Sequence, residues 1–510
     1  MWFLVGLAAV VGLVVVYDLV QKDHAILRNF PIVGHFRYLF EAVGPELRQY
    51  IVTSNNEEKP FSRDERSWVY ASAKKQNNYI GFGTDNNLET TPNYLIIRQA
   101  AFPLPSLHPG EPGFAPDHRL PAAKILGGYR RRAKAFRPDS VVNISGMSFG
   151  SLSANAVIAM NRGAKLANCL HNTGEGGVAP HHANGGPLVW QIGTGYFGCR
   201  ADNGNFSMER FLETVASHDI RAIEIKLSQG AKPGMGGVLP AAKITPEIAK
   251  IRGIPMGKDC LSPSAHRAFG DEDALLDFVE SLAAATGLPV GIKSAVGEMA
   301  FWKRLAHLMA TTDRGVDFVT IDGGEGGTGA GPLVFSDHVS LPFKIGMSEV
   351  YRVFRERDVH ENLLFVGSGR LGFPENALLA FALGCDTVSV AREAMLAVGC
   401  IQAQRCHTGR CPTGVATQRR WLVRGLDTGS KAERLANYVI TLRKEILMLS
   451  RACGVSHPAL ITGDHLDIID DRLRTKSVRE HFGYGEGWGR PSLADLESIG
   501  KIMRDLQTIV

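Results

Sequence analysis

Residues 318–331 read FVTIDGGEGGTGAG. Five residues with strand character end in an aspartate, and six glycines follow within the next nine positions. An apolar strand that runs straight into glycine-rich backbone is built to bring main chain, not side chains, close to a ligand. The same texture repeats on either side. VVNIS (141–145), CLHN (169–172), VWQI (189–192), AIEIKL (222–227) and PVGIK (289–293) precede it, and LLFVGSG (363–369) and TVSVAR (387–392) follow. Helix-like stretches such as ANAVIAMNRGAKLA, EDALLDFVESLAAATG and PENALLAFALG lie between. Strands alternating with helices predict βαβ units and a parallel sheet, and eight of them predict a (β/α)8 TIM barrel over 138–425. In a barrel, function belongs at the carboxyl ends of the strands. The unusual residues lie there: GMSFG after the first run, NTGEGG after the second, Lys226 and Gln229 at the fourth, Lys293 at the fifth, GSGR at the seventh.

The 510 residues are 45% hydrophobic and 21% charged, with a net charge of +5 and no long basic run. These values describe a folded globular protein and give nucleic-acid binding little support. The amino terminus, MWFLVGLAAVVGLVVVY, carries no charge before Asp18. Its length is at the short end of the roughly 17–25 residues a spanning helix needs. No basic residue precedes it and no small-residue cleavage pattern follows, so residues 1–20 are expected to be an uncleaved anchor, not a signal peptide. Lys22, Arg28 and Arg37 come after the span. That places the catalytic domain in the cytoplasm of a single-pass inner (cytoplasmic) membrane protein. Residues 21–137 are expected to form a juxtamembrane and N-terminal extension packing on the barrel, including a six-proline loop at 100–121, and 426–510 a C-terminal helical extension.

Three motifs point elsewhere. Gly146–Gly150 fits the G-x-S-x-G of a hydrolase elbow with Ser148 as nucleophile, but a glycine-rich turn bordering a bound ring explains it better. Gly367–Gly372 fits G-x-G-x-x-G, yet Asp386 stands at the wrong end of the following strand to reach a ribose. A mononucleotide phosphate held by the loops after strands seven and eight explains the glycines instead. His181-His182 has no metal-ligand spacing around it. The cysteines are a different matter: Cys400, Cys406 and Cys411 take three of the chain's eight. Thiolates suit iron–sulfur clusters, and three with no fourth fit a three-iron cluster. Clustered buried thiols and a disulfide are the alternatives, the latter disfavoured in a reducing compartment.

The segment Cys400–Gln418, together with ISGMSFGSLS (144–153), NTGEGG (172–177), EIKLSQGAKPGMGGVLP (224–240) and DGGEGGTGA (322–330), resembles the synthase domain of glutamate synthases. The resemblance implies an FMN-binding barrel with a [3Fe-4S] cluster on Cys400, Cys406 and Cys411, passing electrons to an imine formed from 2-oxoglutarate, or a related 2-oxo acid, and ammonia or an amine. It implies FMN contacts from Ser145, Gly146, Met147, Ser148, Asn172, Lys293, Asp322, Gly323 and Gly324. Lys226 would stand near the N1/C2 edge of the ring, and Gly367, Gly369, Ala391 and Arg392 would hold the phosphate. Lys232 and Arg252 would bind the substrate, and Glu175 would join Lys226 and Lys232 as a catalytic residue. The implied electron donor is ferredoxin or a reductase subunit.

Two departures matter. Full-length members carry a glutaminase domain ahead of the synthase domain, and these 510 residues hold a membrane span there, so ammonia is expected from solution or from another subunit. The family's GAKPGEGGQLP has Met235 and Val238 in place of its Glu and Gln. Losing a polar partner at a substrate site changes selectivity. A flavin oxidoreductase or amine dehydrogenase of the same fold with an unrelated substrate, and a non-catalytic membrane-bound scaffold, are the competing readings.

Overall fold

The computed structural model describes residues 1–106 and 115–505. Part of the proline-rich loop, 107–114, and the tail at 506–510 lie outside the described residues. The chain forms two compact units, Met1–Ser67 and Trp68–Val510.

In the larger unit, eight parallel strands close into a barrel. They are β1 (Val142–Ile144), β2 (His171–Asn172), β3 (Leu188–Ile192), β4 (Ile220–Lys226), β5 (Val290–Ser294), β6 (Phe318–Asp322), β7 (Leu364–Ser368) and β8 (Thr387–Val390). Each falls where its apolar run lies in the sequence. Closure is made by β8 against β1, with Val390 opposite Ile144. The register also aligns the functional ends: Lys226 stands opposite Lys293 and Asp322 opposite Ser368.

The amino-terminal ends of the strands are sealed by residues 120–140. Leu126 and Phe136 exchange backbone hydrogen bonds, and Leu126 packs with Val189, Ala222, Phe318 and Leu364 into an apolar plug. Arg132 pins this segment through ion pairs with Asp317 and Glu280. With that end plugged, the carboxyl ends are left for the site.

The boundaries expected at 137/138 and 425/426 do not separate compact units. Residues 68–106, 115–137 and 426–505 belong to the same compact unit as the barrel. The 25-residue helix Thr428–Ala452 crosses the helix Ala154–Leu166 so closely that a Cβ on Gly163 would lie 2.8 Å from the Ala432 carbonyl. The 426–510 segment, expected to be helical, also contains the strands Leu466–Ile469 and Thr475–Ser477. They join Tyr94–Ile97 in an antiparallel sheet. Strands this short gain most of their stability from the partner, and here one partner is more than 350 residues away in sequence.

The smaller unit holds the helix Trp2–Val20, which has the length and composition to cross a bilayer, a property that signal sequences share. The helices Ala25–Asn29 and Gly34–Leu47 follow it.

Candidate active site

A cleft of about 1340 Å³, counting the open space at its mouth, lies at the carboxyl ends of the strands. Its first wall is the turn after β1, residues Ser145 to Ser148. This turn is held from both sides. The Ser145 N–H donates to the Val390 carbonyl at 2.9 Å, and Gly174 packs beneath, where a Cβ would lie 2.5 Å from the Ser148 nitrogen. At φ +67°, Gly174 occupies backbone space that suits glycine.

Under this turn, β4 carries a carboxylate into the barrel interior. Glu224 is buried and accepts hydrogen bonds from Asn172 at 2.7 Å, Gln191 at 2.6 Å and Thr320 at 2.7 Å. On the next strand, β5, Lys293 pairs with Asp322 of β6 at 3.4 Å. Burial works against the lysine's charge, but Asp322 and then Glu224 hold its pKa above the usual value.

Much of the remaining lining is cationic. Lys226 Nζ donates to Glu175 at 2.7 Å and to Gln229 at 2.6 Å. Burial raises the Glu175 pKa, yet the field of Lys226, then of Lys232 and Arg252, brings it below the ordinary carboxylate value. Glycines make room for this carboxylate: a Cβ on Gly193 or Gly237 would lie 2.5 or 2.7 Å from its oxygens. Lys232 is buried, donates to the Ala330 carbonyl at 2.8 Å, and has its pKa lowered to about 8 by burial and by Lys226. Arg252 donates to the Phe149 carbonyl at 3.0 Å and to Ser148 Oγ at 3.3 Å. Ser148 also hydrogen-bonds Ser151, so among the described residues its hydroxyl bonds are with Ser151 and Arg252, not with a histidine. Six cationic side chains line the cavity, Lys226, Lys232, Arg252, Lys293, Arg370 and Arg392, against Glu175, Asp322 and Glu393. Space, exposed glycine backbone and excess positive charge suit a flat ligand bearing a phosphate, together with an anionic substrate.

Residues 126–456 match the family model described as the conserved region in glutamate synthase. The chain belongs to the glutamate synthase family. The glutamate synthase large subunit-like protein YerD of Bacillus subtilis (strain 168) is 36% identical over 497 residues, covering 91% of this chain and 94% of that protein. An archaeal glutamate synthase [NADPH] of Methanocaldococcus jannaschii is 36% identical over 345 residues, covering 67% of this chain and 63% of the relative. A ferredoxin-dependent glutamate synthase of Cyanidium caldarium is 30% identical over 366 residues, 66% of this chain but 22% of its own length.

Within this glutamate synthase-family barrel, Ser145, Gly146, Met147, Ser148, Glu175, Lys226, Lys232, Arg252, Lys293, Asp322, Gly369, Ala391 and Arg392 line one cavity. Asn172, Gly323, Gly324 and Gly367 do not line it. Asn172 reaches down to Glu224 and the Gly174 N–H. Gly323 and Gly367 allow close approach of the helix Phe343–Glu356, since a Cβ on either would lie 2.6 or 3.0 Å from Phe343. A Cβ on Gly324 would meet Ser340. The sequence reading passed over Glu224, Gln191, Phe197 and Leu239. An acid in the middle of the apolar run AIEIKL was the available signal for Glu224.

Among the described residues no two cysteines are joined in a disulfide, which goes against the disulfide reading. Cys406 lines the cavity; Cys400 and Cys411 do not. Among the described residues no three His, Cys, Asp or Glu side chains are gathered to hold a single metal ion. A multi-iron cluster places its thiolates on separate irons and so asks for a wider spacing. Burial and the nearby Cys411 raise the Cys406 thiol, while the buried Lys243 opposes them. Lys243 donates to the Ser151 carbonyl at 3.0 Å, and Gln418 to the Leu152 carbonyl at 2.8 Å. The cysteine segment is thus bonded directly to the loop that continues the first cavity wall.

Proposed function

We propose that this chain is an FMN-dependent oxidoreductase that reduces the imine formed from 2-oxoglutarate, or a related 2-oxo acid, and ammonia or an amine. The observation that carries the reading is that the Ser145–Ser148 turn, the Lys226–Glu175 pair, Lys232 and Arg252 line one cavity. Ser145, Gly146, Met147, Ser148, Lys226, Lys293 and Asp322 would hold the flavin ring, and Gly369, Ala391 and Arg392 its phosphate. Cys400, Cys406 and Cys411 would hold a [3Fe-4S] cluster. Bound there, FMN would supply hydride chemistry and a cluster would supply single electrons drawn from ferredoxin or a separate reductase subunit.

Lys232 and Arg252 neutralise the carboxylates of the 2-oxo acid and set its 2-oxo carbon toward the first wall. Glu175, kept anionic by Lys226, draws in an ammonium ion and takes its proton as the nitrogen attacks that carbon. Lys226 offers positive charge where negative charge builds during reduction. The loops after β4 and β6 overlie this region, and Lys232 of the first bonds Ala330 of the second, which limits water entry. Trp2–Val20 anchors the protein in the cytoplasmic membrane with the barrel in the cytoplasm.

Protein purified without oxygen should carry FMN and iron, and should form glutamate from 2-oxoglutarate and ammonium with reduced viologen as donor. Flavin-free protein would overturn the assignment. Flavin-containing protein indifferent to every 2-oxo acid and amine pair would leave the fold and remove the reaction.

A further inference from the structure

The helix Gly34–Leu47 displays an apolar stripe that nothing in its own unit covers. Phe36, Leu39, Phe40, Val43 and Leu47 recur at i, i+3, i+4, i+7 and i+11, which puts them on one face. All five are exposed, Phe36 by 58% and Phe40 by 63%. The other sides of the helix are different. Arg37 and Glu41 pair at 2.8 Å on the polar side. His35 and Tyr38 face back toward the preceding segment, His35 Nε2 lying 2.9 Å from Asp18 and the Tyr38 ring stacking edge-on against His24.

Asp18 sets the level of this helix. It is buried in the last turn of Trp2–Val20, accepts a hydrogen bond from the Ile32 N–H at 2.9 Å, and meets His35 in the first turn of Gly34–Leu47. The stripe therefore begins where the apolar helix Trp2–Val20 ends. That helix is itself almost wholly uncovered, so whatever solvent covers it reaches to the level of Asp18. For a membrane span this level is the headgroup layer. Lys22, Asp23, Arg28, Arg37, Glu41, Glu46 and Arg48 lie in the same segment, mixed charges that suit a polar headgroup layer.

We propose that Gly34–Leu47 is an interfacial helix, lying in the cytoplasmic headgroup layer with Phe36, Leu39, Phe40, Val43 and Leu47 turned into the acyl boundary. The inference rests on the anchor reading of Trp2–Val20 and adds a second, lateral membrane contact that would hold the following chain close to the lipid surface.

The test uses the full chain in vesicles of mixed zwitterionic and anionic phospholipid, some of it brominated either near the glycerol or near the chain ends. Tryptophan replaces Phe40 on the stripe or Arg37 on the polar side, and added emission is measured over the wild type. Trp at 40 should be blue-shifted and lose roughly half or more of its emission to shallow bromine, as a group about 5–10 Å into the headgroup boundary would. Trp at 37 should be quenched several-fold less. Emission at 40 that ignores bromine at either depth would overturn the proposal, whether water or another protein surface covers the stripe. Strong quenching of both positions by deep bromine would overturn it too, by making the helix a second span. Release of the full chain from the vesicles by alkaline carbonate would instead defeat the anchor reading beneath it.

Discussion

Glu224 allows the barrel's polar interior to be tested by number. Its Oε1 accepts from Asn172 and Gln191 and its Oε2 from Thr320, which ties β4 to β2, β3 and β6 around one buried carboxylate. Glu224→Ala removes the acceptor and strands two buried amide donors, each costing ~1–3 kcal/mol, with a cavity penalty added. The sum is at least ~4 kcal/mol. Glu224→Gln behaves differently because of which oxygen does what. The amide oxygen can still accept from Asn172 and Gln191, and the Thr320 hydroxyl can turn to accept from the new NH2. Only the charge-assisted part of three hydrogen bonds is lost, and relief of burying a charge offsets some of it, leaving ~1–2 kcal/mol. Thermal unfolding of the detergent-solubilised full chain reads the difference. At ~2–4 °C per kcal/mol for domains of 150–250 residues, and less for this larger unit, alanine should lower Tm several times more than glutamine. Alanine should also weaken flavin retention, since Gln191 packs against Gly146 in the cavity wall. Equal losses for the two variants, or a neutral alanine, would refute the hydrogen-bond account.

Lys232, with its pKa near 8, is cationic below that pH and neutral above it. KM for the 2-oxo acid should therefore rise as pH climbs through about 8, and Lys232→Arg should carry the good-binding limb to higher pH; a KM profile flat across that range would remove Lys232 from the substrate. Val238 lines the cavity in place of the family's glutamine. Val238→Gln should lower KM for 2-oxoglutarate ~5–10-fold by adding a hydrogen bond worth ~1–1.5 kcal/mol, with kcat little changed, and an unchanged KM would mean the side chain does not meet that substrate. A Cβ on Gly230 would lie 1.8 Å from the Gly323 carbonyl oxygen, and neither backbone can retreat easily. Gly230→Ala should cost ~3 kcal/mol or more or prevent soluble expression, and a Tm within a degree or two of the wild type would show that the loops after β4 and β6 yield.

The residues that announce the barrel are local, and so the sequence alone determined it. Each strand is a short apolar run such as FVTID or PVGIK that carries its own hydrophobic signal, and each is followed by glycine or charge. Eight such runs, most of them separated by helices, leave little choice of architecture. The positions of Lys226, Lys293 and Asp322 at strand ends came with that reading, because in a barrel the end of a strand is also a place in space. The cationic wall was legible as well, in the family motif that carries Lys226 and Lys232.

Other features have no local signature. Glu224 is one acid in an apolar run until the closed barrel brings Asn172, Gln191 and Thr320 to it from three other strands. Gly323 and Gly367, glycines of ligand-loop type in sequence, are also places where the helix Phe343–Glu356 comes close. The sheet joining Tyr94–Ile97 to Leu466–Ile469 could not be read from either segment, since each is completed by the other. Sequence alone determined which segments would be the barrel strands and which residues would stand at their carboxyl ends. Tertiary structure decided which polar groups meet and which glycines serve packing, because those outcomes depend on distances between residues far apart along the chain.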